Sequence, residues 1–126
     1  MALGGSHISL AGFKASSTLA SSQYYIVKFA STAGEVIVGA AATDSLIGVV
    51  QNDPGAGEAA DIAVIGIAKV ACEASQSAGA WVTSSTTGRA KVTSSGNDDV
   101  IGKLLEGTSS DAGDIAAILL TGPSNF

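Results

Sequence analysis

Reactive side chains are scarce in this chain. It has one cysteine, Cys72, and one histidine, His7. A lone cysteine closes no internal disulfide. Neither residue has a second His or Cys near it, so no zinc-type ligand set stands in the sequence. Cys72 lies between Ala71 and Glu73 in an apolar stretch, with no basic neighbour to activate its thiol; it reads as a small core residue. His7 reads as a solvated residue near the terminus. Covalent catalysis needs a nucleophile, a base and a group to orient them. No Gly-x-Ser-x-Gly elbow occurs. Gly55-Ala56-Gly57 follows Pro54 and lacks the Lys-Ser/Thr of a phosphate loop. The expectation is a protein with no catalytic residue, no cofactor, no metal and no small-molecule substrate.

Charge and aromatics are also sparse. Charged residues make up 13% and aromatics 5% of the 126 residues, against about 25% charged in an average domain. The six basic residues, Lys14, Lys28, Lys69, Arg89, Lys91 and Lys103, are scattered, and the net charge is −5. Phosphate backbones require clustered cations, so nucleic acid is not expected as a partner. The longest apolar run, Ile115 to Leu120, falls far short of the ~20 residues of a membrane helix. Met1 to His7 has neither the basic nor the apolar segment of a signal peptide. The carboxylates cluster as Asp98-Asp99, Asp111 with Asp114, and Asp53 with Glu58, each in a predicted turn. The best calcium candidate, Ser95 to Asp99, lacks the spaced Asp and distal Glu of a calcium loop.

What is plentiful is small and β-forming. There are 16 glycines, and short runs of Val and Ile alternate with turn residues. Tyr24 to Phe29, Glu35 to Val38, Leu46 to Gln51, Asp61 to Glu73, Ala80 to Thr83, Arg89 to Thr93, Val100 to Glu106 and Gly113 to Leu120 read as strands. Asn52-Asp53-Pro54-Gly55-Ala56-Gly57 is the strongest turn signal. Gly66, inside a strand pattern, predicts a bulge or bend. Ala40 to Asp44 fits one helical turn or a loop. About nine or ten short strands at this spacing indicate an all-β fold, a small β-barrel or sandwich.

Two segments echo one another. Leu46-Ile47-Gly48-Val49-Val50, a turn, then Ala60-Asp61-Ile62-Ala63 is matched by Val100-Ile101-Gly102-Lys103-Leu104, a turn, then Gly113-Asp114-Ile115-Ala116. Two copies are too few for a solenoid; they predict two similar hairpins closing one barrel. In each, the glycine is expected to let the strand bend and the Asp to end the turn.

Residues 1–23 are small and polar, with Ile8, Leu10 and Phe13 as isolated apolar residues. They read as an extended N-terminal arm with apolar anchors, or as a frayed terminus. Residues 24–126 form the single domain. Tyr24, Tyr25 and Trp81 are the candidates for an oligomer interface.

Several motifs in order carry a resemblance. They are Leu46-Ile47-Gly48-Val49-Val50-Gln51-Asn52-Asp53, Ala56-Gly57-Glu58 and Val64-Ile65-Gly66, then Ala80-Trp81-Val82-Thr83 and Gly88-Arg89-Ala90, and finally Val100 to Glu106 and Gly113 to Leu120. Over roughly residues 24–120 the chain resembles the phage capsid cement, or head decoration, family. That resemblance implies a β-barrel-like protein on the outer surface of the virion's capsid, made in the host cytoplasm. It implies the major capsid protein as partner and a homo-oligomer, with a trimer favoured. It transfers no catalytic residue. The arm matches no fixed pattern of the family; in this reading Ile8, Leu10 and Phe13 are the capsid-contact candidates. The competing class is a receptor- or carbohydrate-binding β-module on a virion. That class would need an aromatic or polar cluster on one face, for which one Trp and two Tyr are thin material.

Overall fold

A computed structural model describes residues 7–10, 12–16, 22–73, 76–93, 98–106 and 114–125. Among them are ten strands and no helix: β1 (His7–Leu10), β2 (Lys14–Ala15), β3 (Ile26–Phe29), β4 (Glu35–Val38), β5 (Leu46–Val50), β6 (Ile62–Ala71), β7 (Trp81–Ser84), β8 (Ala90–Val92), β9 (Asp99–Leu104) and β10 (Ile115–Asn125). The strand order is β2-β4-β3-β5-β6-β10-β9-β7-β8, and β1 pairs with β6 off this path. The expected all-β architecture is the one found. Ala40 to Asp44 forms a turn, closed where the Asp44 amide donates to Ala41 and the Ala40 amide donates to the Asp44 carboxylate.

The sheet curls until its far end returns. A parallel bridge joins Cys72 to Ala90, and the Glu73 amide donates to the Ala90 carbonyl. The Ile26 amide reaches Gly88, and the Ala71 amide reaches Tyr24. These bonds tie β6 and β3 to the β8 end, and so enclose an interior.

Side-chain alternation then explains two separate cores. Successive side chains of a strand point to opposite faces. Ile26, Leu46, Val49 and Ala63 belong to a cluster with Val70, Val82, Leu104 and Ile118, inside the curl. Their immediate neighbours Val27, Ile47, Val50, Ile62 and Val64 belong to a second cluster on the outer face. β5 is consequently buried at all five positions, as a strand covered on both faces must be. Leu10, Phe13 and Ala15 cover the second cluster. The segment read as an arm therefore contributes β1 and β2 to the sheet, and Phe13 also meets the Phe29 ring at 6.1 Å.

The two echoed hairpins are both present. β5 pairs antiparallel with β6, and β9 with β10. Their glycines work differently from the expectation. Neither Gly48 nor Gly102 has a positive φ. A Cβ at Gly48 would stand 2.1 Å from the Ala63 carbonyl oxygen, and one at Gly102 the same distance from that of Leu119. Each glycine lets two backbones approach; it does not bend a strand. The predicted bend lies at Gly66, whose φ is +109°, next to a register shift between β1 and β6.

The loop joining β5 to β6 is pinned from within. The Asn52 side chain donates to the Ala59 carbonyl and accepts from the Asp61 amide. The Glu58 carboxylate accepts from the Gly55 amide at 2.6 Å, and Gly57 donates to Ala15.

Candidate interaction surface

Among the described residues, no group of three or more His, Cys, Asp or Glu side chains is placed to hold a metal ion. Residues 95–97 of the calcium candidate lie outside the described residues, as does Asp111. Asp98 accepts from the Thr93 hydroxyl, and the Asp99 carboxylate accepts from the Leu46 amide at 3.4 Å. Cys72 is buried in the inner core, and His7 is exposed on β1.

One polar network stitches the closing seam. The Arg89 guanidinium donates to the Tyr25 hydroxyl at 3.1 Å and to the Glu73 carboxylate at 3.5 Å. The Thr87 hydroxyl donates to Glu73 at 2.7 Å. Hydroxyl donors from Ser85 and Thr87, together with Arg89, hold the Glu73 carboxyl below its ordinary range against the opposing pull of burial. At the turn before β5, burial pushes the Asp44 carboxyl up. The Ala40 amide and the Lys28 ammonium, 3.2 Å away, outweigh that and lower it.

The three aromatic candidates do not form one cluster; each is covered by its own cation. Lys69 lies 5.8 Å from the Tyr24 ring, Arg89 5.6 Å from Tyr25, and Lys103 4.7 Å from Trp81. Tyr24 packs on the inner core with a φ of 70°. Tyr25 belongs to the seam. Trp81, half-buried on β7, stands directly across from Lys103 on β9.

The three arm candidates also separate. Leu10 and Phe13 pack on the outer core of their own chain. Ile8 is 62% exposed and sits opposite Ile65, itself 49% exposed.

That pair opens a stripe on the outer face of the sheet. Directly opposed residues share a face. Ile8 opposes Ile65, Ile67 opposes Leu119, Leu119 opposes Lys103, and Lys103 opposes Trp81. The row crosses β1, β6, β10, β9 and β7, and Leu119 is 40% exposed. Sequence reading missed Ile65, Ile67 and Leu119. Each lies in an unbroken apolar run, where alternation gives no sign of which residues face outward. The single charged position in Val100 to Leu104, Lys103, was the available clue.

No protein-family model matches the chain, and no curated protein matches it. Among solved structures it is similar to the N base of the head fiber gp8.5 of bacteriophage phi29, with 16% sequence identity and a TM-score of 0.65. The likeness spans 92% of this chain and 95% of that one. At that identity the two share a fold, along nearly their whole lengths.

Proposed function

We propose that this chain is a structural protein of a phage head, which binds the outer surface of the assembled shell and stabilises it without catalysing a reaction. The observation that carries the reading is the shared fold with a head-fiber base over 92% of the chain. The ordered resemblance to cement proteins, between Leu46 and Leu120, supports it independently. The partner in this reading is the major capsid protein, and the working form is a homo-oligomer, with a trimer favoured.

The physics of such a role is adhesion at many sites. A specific contact buries roughly 1,600 Å² in total. Once one subunit of an oligomer is seated, its neighbours bind at high effective concentration, so modest single contacts add to firm attachment. Of the three candidate capsid contacts, Ile8 is the exposed one, because Leu10 and Phe13 pack on their own core.

The test is co-sedimentation of the purified protein with empty heads of its phage, followed by electron microscopy and thermal disruption of the decorated heads. Added density at regular lattice positions and a higher disruption temperature are expected. Protein that stays in the supernatant with intact heads refutes the proposal; glycan binding under the same conditions favours the receptor-binding class.

A further inference from the structure

The outer face of the sheet is capped over one end, where Phe29 still stands 55% exposed beside Phe13, and open over the other. Over β3, β5 and the start of β6 it is capped by Leu10, Phe13 and Ala15. Across β6, β10, β9 and β7 the same face carries the stripe, with Ile65 at 49% and Leu119 at 40% exposure. Scattered apolar residues on a surface are ordinary, whereas a contiguous row marks a contact surface.

Charge says what covers it. The charged residues that flank Ile67 and Leu119 on this face are Lys69, opposite Ala117, and Lys103, opposite Leu119. Each lies over an aromatic ring, and neither makes an ion pair with a carboxylate among the described residues. The chain as a whole carries −5. Its β5–β6 loop presents Asp53, Glu58 and Asp61 beside Ala56 and Ala59, all exposed. That loop is held rigid by Asn52 and by the Glu58–Gly55 bond, so little ordering entropy is lost on docking.

We propose that a second copy of this chain covers the stripe, seating its acidic β5–β6 loop against Leu119, Lys69 and Lys103. The inference rests on the homo-oligomer proposed above and names its interface. Stripe against stripe, as in a two-fold dimer, would set lysines against lysines. Stripe against loop is a head-to-tail contact, which closes into a ring when the rotation permits. A cyclic trimer is one such closure.

The experiment uses the full chain in sedimentation equilibrium. The wild type is expected to be an oligomer larger than a dimer. Leu119→Lys disables the face, and the double variant Asp53→Lys/Asp61→Lys disables the loop. Each should be monomeric, or weakened at least about tenfold, with circular dichroism and melting showing that it still folds. Mixed together, the two should form a one-to-one dimer, because each supplies the element the other retains. A wild type that is monomeric at every concentration overturns the inference, as does an oligomer that both variants leave intact. Two monomeric variants that fail to combine also overturn it. Head binding is measured separately: a monomer that still decorates heads removes this interface and leaves the proposed function standing, while a head-to-tail oligomer that ignores heads does the reverse.

Discussion

Replacing Gly102 with alanine tests the tightest feature of the fold. The added Cβ would lie 2.1 Å from the Leu119 oxygen and 2.9 Å from both the Leu119 carbonyl carbon and the Leu120 Cα. Ordinary contact begins at about 3.5 Å, so β9 and β10 would have to separate by more than about 1 Å at this point. All three atoms belong to backbone, so no side-chain rotation relieves the clash. The adjoining pairs, Lys103 with Leu119 and Leu104 with Ile118, hold the ladder in place. Overpacking a core costs about 1–3 kcal/mol, and a clash confined to backbone belongs at the upper end. Gly102→Ala should therefore lose about 3 kcal/mol, roughly 10 °C in Tm for a domain of this size. The matched control is Gly34→Ala, where a Cβ meets nothing within 4 Å but φ is +82°; left-handed strain alone should cost about 1–2 kcal/mol. Urea unfolding at fixed protein concentration measures both, since association would shift apparent stability. A Gly102→Ala midpoint equal to wild type, or a smaller loss than Gly34→Ala shows, would refute the close-approach argument.

Phe13→Ala should destabilise the fold by about 2 kcal/mol, less than a fully buried Phe, because the ring is half-buried on the outer core; a melting temperature unchanged from wild type would mean the N-terminal segment does not cap that core. Acid should also destabilise the protein through Glu73 and Asp44. Both carboxyls are lowered on folding, so their stabilisation is complete above the ordinary values of 4.5 and 3.8 and is lost as pH falls through the folded values. Glu73→Gln should flatten the fall in urea midpoint below about pH 4.5; a slope identical to wild type would show that the Arg89 seam contributes no pH dependence.

Much of this architecture was legible in local chemistry. Val and Ile runs broken by Asn52 to Gly57 and by Ser31 to Gly34 specified strands and turns, because turn residues and β-branched side chains act through their own backbone. The echo of Leu46 to Ala63 in Val100 to Ala116 announced two hairpins, and both formed. The bend at Gly66 was readable only in part, because the same signal, a glycine in an apolar strand, marks close backbone approach at Gly48 and Gly102.

The site was less legible, and for a physical reason. Tyr24, Tyr25 and Trp81 are conspicuous as residue types, yet what surrounds each one, Lys69, Arg89 and Lys103, comes from strands distant in sequence. Ile8 and Leu10 look alike in the chain, but one is exposed and the other packs on the outer core. The sequence by itself determined the class of fold, the turns and the scarcity of reactive groups, since these depend on neighbours along the chain. Tertiary structure alone decided which face of β5 meets which core, why Gly48 and Gly102 admit no side chain, and that Ile65 and Leu119 face outward. Those outcomes depend on the register between strands, which is set by contacts across the fold and is invisible in any single apolar run.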